Sequence, residues 1–177
     1  YCHEELKEYG LGTEKAEEII KSSIKNAKII RMDIDTTTKK GELEKIIKSF
    51  QNNEYNILLG TQMIAKGLDF EKVTLVGVIN ADISLNFPDF RSSETTFSLL
   101  NQVSGRSGRG ERKGKVLIQT FNKDHYAIKH SKYNDYKSFY NEEIKIRKKL
   151  NYPPFCHICL IKIISKDYKI ASEMSYK

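Results

Sequence analysis

Four short runs rich in β-branched and aliphatic residues recur along the chain: residues 27–32 (AKIIRM), 56–60 (NILLG), 73–79 (VTLVGVI) and 115–120 (KVLIQT). Each gap between them is too long for a hairpin turn, and most of the gap sequence carries apolar residues at helical spacing. Ala16, Ile19, Ile20 and Ile24 form one such stripe, and Leu43, Ile46, Ile47 and Phe50 another. Antiparallel neighbours need only a tight turn, whereas parallel neighbours need a crossover that usually contains a helix. The alternation therefore implies an α/β domain with a mostly parallel sheet flanked by helices. Thr13 is read as the N-cap of the first helix, with Glu14, Glu17 and Glu18 favoured by its dipole. A second helix is expected over about residues 40–51, stopped by Asn52-Asn53, and a third over residues 92–104. The 56–60 run is expected to be buried on both faces.

In a parallel sheet of this kind ligands gather at the carboxyl ends of the strands. Three polar stretches are due there: residues 61–69 (TQMIAKGLD), 80–82 (NAD) and 102–110 (QVSGRSGRG). The last carries Arg106 and Arg109, three apart among glycines and serines. A guanidinium keeps its charge in any pocket and matches phosphate oxygens with a planar fork. Small neighbours let a bulky anion approach the backbone. The helix before it would deliver both arginines to a phosphate.

The 177 residues allow one full domain and part of another. The net charge of +7 suits a polyanionic partner, although lysine supplies most of it. Three cysteines make no disulfide framework, so a reducing, cytoplasmic setting is expected. No apolar run is long enough to span a bilayer, and no membrane partner is expected. Tyr1 reads as an excision point. After Asp124 the character changes: residues 124–131 and 133–150 read as basic, tyrosine-rich helices, more in keeping with an amphipathic connector than with a nucleic-acid face. Residues 152–155 (YPPF) are a stiff break, 156–164 read as a strand, and 168–177 as the start of a helix in a truncated domain. Cys156-His157-Ile158-Cys159 has the look of a metal knuckle, but a structural zinc needs four ligands and no second pair stands at a workable spacing.

Taken together, Gly12-Thr13-Glu14-Lys15, Arg31-Met32-Asp33 with Thr36-Thr37, the 60–70 stretch, Pro88-Asp89-Phe90-Arg91, the 102–109 stretch and Tyr152-Pro153-Pro154-Phe155 resemble lobe 2 of a superfamily-2 helicase. Their order and spacing resemble in particular the primosomal replication-restart helicase family. The resemblance implies a RecA-like helicase lobe 2 followed by the truncated start of an α+β C-terminal domain. Residues 1–9 would end a zinc-knuckle insertion, 10–131 would form the lobe, and 132–177 the linker helix and the next domain's start.

It also implies roles. Arg106 and Arg109 would be arginine fingers on ATP, with Gln102 coupling that pocket to the lobe interface. Gly67 and Asp69 would lie near the nucleotide. Thr13, Thr61, Gln62 and Lys66 would contact DNA, and Cys2 would be a ligand of Zn2+ in the parent protein. ATP and Mg2+ would be held mostly by the other lobe. The parent would be an ATP-dependent 3′→5′ DNA helicase acting on forked and single-stranded DNA. Its expected partners are single-stranded-DNA-binding protein and primosome or helicase-loader proteins, and its setting the bacterial cytoplasm and nucleoid. Leu68 stands where the family usually has His, and Ser104 and Ser107 where it has a small residue such as Ala. No G-x-x-x-x-G-K-[ST] loop and no Asp-Glu magnesium motif occurs in these residues, so this chain alone is expected not to hydrolyse ATP. The competing readings are lobe 2 of another repair helicase, RecG-like or of excision-repair type, and a non-catalytic module binding fork DNA or replisome proteins.

Overall fold

Parallel pairing of short strands is the frame of the first half of the chain. Strand β1 (Ile29–Met32) pairs in parallel with β2 (Ile57–Gly60), and β3 (Leu75–Val78) pairs in parallel with β4 (Lys115–Ile118). The computed structural model describes residues 12–33, 35–38, 41–65, 70, 72–105 and 114–175. They belong to two compact units, Tyr1–Phe139 and Tyr140–Lys177. Among the described residues the expected parallel sheet is divided into two two-stranded sheets, each with its own helical cover.

Helices α1 (Thr13–Ser23) and α2 (Glu42–Gln51) cover the first sheet. Ala16, Ile29, Met32 and Ile46 are its buried apolar residues. The start of α2 falls at Glu42 because Gly41 precedes it in the left-handed region, at φ 88°, where a side chain would be strained. Asn53 takes φ 60° just past the helix end, as its stop role required. All four residues of β2 are half-buried instead of fully enclosed. A two-stranded sheet leaves β2 with one ladder partner and an open side.

In the second sheet the side chains alternate as a one-sided sheet demands. Val76, Val78, Val116 and Ile118 are half-buried, while Leu75, Gly77, Lys115 and Leu117 are exposed. The core beneath it gathers Ala81, Leu100 and Ile128, packed with Val78, Leu85 and Ile118. These come from β3, β4, the short helix α3 (Asp82–Leu85) and the Ala81 just before it, helix α4 (Ser92–Ser104) and helix α5 (Tyr126–Ser131). A neighbouring cluster stacks Phe97 on Phe139, ring centroids 4.2 Å apart and 8° from parallel, beside Ala127. Phe139 lies in the first turns of α6 (Tyr136–Lys149), so the first unit includes the beginning of that helix. His125 starts α5 with its Nδ1 accepting from the Ala127 N–H at 3.2 Å.

In the second unit Glu143 and Arg147 form an ion pair at 2.7 Å one helical turn apart, both side chains nearly buried. The Arg147 guanidinium also donates to the Pro153 carbonyl at 3.4 Å, which ties the 152–155 break back to the helix. The Pro153–Pro154 peptide is cis. The strand expected over residues 156–164 does not form; the segment is irregular and mostly exposed. A strand needs a ladder partner, and the described part of this unit has no other strand to supply one. Helix α7 (Tyr168–Ser175) follows.

The close approach of β1 and β2 depends on Gly60. It stands opposite Met32 in the register, and a Cβ there would overlap the Met32 carbonyl oxygen and come within 2.7 Å of Ile64 Cδ1. The atom met is backbone, which cannot swing aside as the end of a flexible side chain could. Gly60→Ala is therefore expected to destabilise the protein by about 2–3 kcal/mol, read as a lowered chemical-denaturation midpoint. An unchanged midpoint would mean that the strand ends are free to part.

Candidate functional site

The first-sheet register aligns Met32 with Gly60, so the residues that follow β1 and β2 leave the sheet at one edge. After β1 comes Asp33, only 5% exposed. Its carboxylate gathers donors from three elements. The Thr13 hydroxyl donates to Oδ2 at 2.8 Å, the Arg31 guanidinium donates to the same oxygen through Nε and Nη2 at 3.1 and 2.9 Å, and the Thr36 N–H donates to Oδ1 at 3.0 Å. The Asp33 N–H in turn donates to Thr36 Oγ1, and the Thr37 hydroxyl to the Asp33 carbonyl, which folds residues 35–37 into a single 3-10 turn. Arg31 is held from its other side by Glu14 at 3.2 Å and Glu17 at 3.8 Å.

Burial by itself would push the Asp33 carboxyl up. The hydrogen bonds from Thr13, Thr36 and Arg31 outweigh it and bring the pKa down to about 2. The Thr13 side chain thus has a different part from the one its sequence position suggested. Gly12 is the N-cap of α1, Thr13 is the first helical residue, and no side chain caps the helix. Placed one residue inside the helix instead of at its cap, the Thr13 hydroxyl donates to the ionised Asp33 carboxylate, a strong acceptor.

After β2 the chain makes a 3-10 turn, Gln62–Ala65, with the Ile64 N–H donating to the Thr61 carbonyl. Thr61 and Gln62 are both exposed there. The turn lies against α4, the helix that carries Gln102 near its end. Gln102 is exposed, and Ser104 spends its hydroxyl on the Leu100 carbonyl at 2.8 Å. The structure therefore brings Thr13 and the Thr61-Gln62 turn to the first-sheet edge, and sets that turn beside the helix of Gln102. Arg106, Arg109, Lys66, Gly67, Leu68, Asp69, Ser107 and Cys2 lie outside the described residues.

The 80–82 stretch divides. Asp82 was expected to leave a polar side chain open at the end of β3, yet it is 1% exposed and accepts from the Phe121 N–H, the Asn122 amide and the Thr120 hydroxyl at 2.8, 2.8 and 3.1 Å. It fastens the chain leaving β4 to the end of β3, and burial, which raises its pKa, is overcome by those donors. Asn80 sits at φ 58°, and its Oδ1, like that of Asn101 on α4, is buried with no hydrogen-bond partner among the described residues. Asp89 and Arg91 form a bidentate pair beside Pro88, with Nη2 to Oδ2 at 2.9 Å and Nε to Oδ1 at 3.0 Å. Among the described residues no group of three His, Cys, Asp or Glu side chains is arranged to hold a metal, and no helix is long and apolar enough to cross a membrane. Sequence reasoning missed Asp33 as a hub. The available signal was an acidic residue between a strand end and a Thr-Thr pair, the composition of a turn that bonds its own backbone.

The helicase conserved C-terminal domain pattern matches residues 9–111. The chain belongs to this family. As a helicase C-terminal domain it has the α/β fold with parallel strands flanked by helices that its sequence implied. It is similar to the replication restart protein PriA of Bacillus subtilis, 47% identical over 98% of this chain and 22% of that protein. Similarity to PriA of Borreliella burgdorferi is 45% over 94% of this chain and 25% of that protein. For PriA of Treponema pallidum it is 38% over 99% and 27%. The chain thus spans roughly a quarter of the length of these curated relatives. The C-terminal domain of the DEAD-box protein Dbp5 is a more distant likeness, with a TM-score of 0.41 at 18% identity over 91% of this chain and 74% of that one.

The Asp33 cluster predicts an acid response of definite sign. A carboxyl held below its unfolded value contributes stability above about pH 4, and that contribution is lost as the pH falls towards about 2. Asp33→Asn should cost about 2 kcal/mol at neutral pH and flatten the loss of stability between pH 4 and 2. The check is denaturant unfolding across that range. Parallel pH profiles for the two proteins would contradict the assignment.

Proposed function

We propose that this chain is the second lobe of an ATP-dependent 3′→5′ DNA helicase that restarts stalled replication forks and initiates primosome assembly. The observation that carries the reading is the similarity to replication restart proteins over nearly the whole chain. The lobe would be residues 10–131, and residues 132–177 would be a linker helix and the start of a following domain. In this reading ATP and Mg2+ bind mainly to the other lobe. Arg106 and Arg109 reach across to the terminal phosphate and stabilise charge that develops there during transfer. Gln102, exposed on the helix that leads to them, couples the nucleotide to the lobe interface, and Gly67 and Asp69 line the same cleft.

The DNA side is the edge formed by β1 and β2. Thr61, Gln62 and Lys66 contact the backbone of a single strand. Thr13 contributes through its N–H at the start of α1, since its hydroxyl belongs to Asp33. The Asp33 cluster fixes α1 against the strand ends, so the donors at that edge keep their spacing while the lobes move. The neighbouring turn touches α4, which gives a short mechanical path from DNA to Gln102. Cys2 would complete a zinc knuckle with ligands from elsewhere in the parent protein. Forked DNA, single-stranded-DNA-binding protein and primosome loaders are the partners, in the bacterial cytoplasm. The chain by itself would turn over no ATP.

In the full-length protein Arg109→Ala should lower DNA-stimulated ATP turnover by on the order of 10³-fold and leave fork binding intact. Steady-state ATPase measured beside fork binding reads both. Wild-type turnover in the variant would sink the arginine-finger role and move the proposal towards a non-catalytic fork-binding module.

A further inference from the structure

Beyond the strand-edge contacts, the turn between α5 and α6 carries a surface to which nothing above gives a use. Tyr133 is 73% exposed and Tyr136 64% exposed. Tyr133 lies in the short connection, whose turn is set by Asn134 at φ 52°, and Tyr136 opens α6. Neither ring is loose. The Lys132 ammonium lies 5.4 Å from the Tyr133 ring centroid, and the Tyr136 ring is anchored against buried Phe97, with centroids 6.2 Å apart at 50°. Lys129, Lys132 and Lys137 are all exposed around them. The acid in this stretch is Asp135, whose carboxylate accepts from the Ser138 N–H at 3.0 Å and also lies near His130 and Lys137. Three exposed lysines against one half-buried aspartate make the surface electropositive.

We infer that Lys129, Lys132, Tyr133, Tyr136 and Lys137 form a binding surface for single-stranded DNA, separate from the β1–β2 edge. Sequence-independent binding of single strands combines cationic side chains that follow the phosphates with aromatic rings on which bases stack. A tyrosine is a good platform because its ring is rigid and loses little conformational freedom on contact. An apolar protein partner would bury these rings too, but it would leave three lysine charges to be desolvated, whereas a phosphate backbone neutralises them. The inference rests on the DNA-binding reading of the previous subsection. It adds a second point of attachment, on the helix connection instead of the strand ends.

The test uses this chain and a fluorescein-labelled oligothymidylate, with binding read by anisotropy at 50 and 200 mM NaCl. The chain has ten tyrosines and no tryptophan, so quenching of tyrosine emission reports stacking directly. Tyr133→Ala and Tyr136→Ala are each expected to weaken binding about fivefold or more and to reduce the quenching. The corresponding Phe variants should keep the affinity, since the stacking ring remains, while losing that residue's share of the tyrosine signal. Lys132→Gln should lower the slope of log affinity against log salt by about 0.7. Should Tyr136→Ala unfold through its contact with Phe97, Tyr133→Ala carries the test alone. If the wild-type chain binds and the Ala variants bind equally well with the same quenching, this surface is not used and the inference falls while the DNA reading stands. Heparin, a polyanion without bases, is measured alongside: if the Ala variants lose affinity for it as much as for the oligonucleotide, no base stacks there and the inference again falls. A wild-type chain that binds no oligonucleotide overturns both readings.

Discussion

One ionised carboxylate sets the geometry of the first half of this protein. Asp33 is almost fully buried, where a lone charge would be prohibitively costly, and it stays charged because Thr13, Arg31 and Thr36 all donate to it. Those donors belong to α1, to β1 and to the 3-10 turn after it. A single group therefore fixes the helix start, the strand end and the turn at once. Gly60, which a side chain would drive into the Met32 carbonyl, keeps β2 close enough for Thr61 to emerge beside this cluster. The edge proposed to meet DNA inherits its rigidity from that arrangement.

The second sheet repeats the device with different parts. Asp82, buried at the end of β3, takes donors from residues 120–122 and so fastens the exit of β4. Both aspartates sit just beyond a strand's carboxyl end, where a loop leaves the sheet and loose backbone groups need partners. Two polar latches thus hold the strand ends while Thr61 and Gln62, just past β2, remain exposed. This is the division of labour that the proposed function calls for. Binding groups ride on loops, and a stiff scaffold sets their spacing.

Helix α4 touches the Gln62–Ala65 turn and buries Phe97 and Leu100. Its apolar side is committed to the aromatic stack with Phe139, and its end carries Gln102 towards the arginine stretch. A helix clamped by a core over its middle transmits displacement along its length better than a frayed one. That makes α4 the natural link between a DNA-facing turn and a nucleotide-facing loop in the proposed helicase.

Element order and type were legible in the sequence because they rest on local periodicity. Strands fell inside the four apolar runs, α4 matched residues 92–104, and Asn52-Asn53 ended α2. Family membership was legible too, since it resides in the order of short motifs. The partners of individual polar groups were not. Nothing in residues 12–15 says that the Thr13 hydroxyl will meet a carboxylate twenty positions away, and nothing in residues 80–82 says that Asp82 will turn inward to residues 120–122. Residues 156–164 carry strand-like chemistry but form no strand, because a strand is a property of a pair. The sequence by itself determined the four paired strands, their parallel sense, most of the helices and the family, all set by short-range patterning and chain connectivity. Tertiary structure alone decided which polar side chains became internal latches and which stayed open, because burial and hydrogen-bond partners exist only once distant segments have packed together.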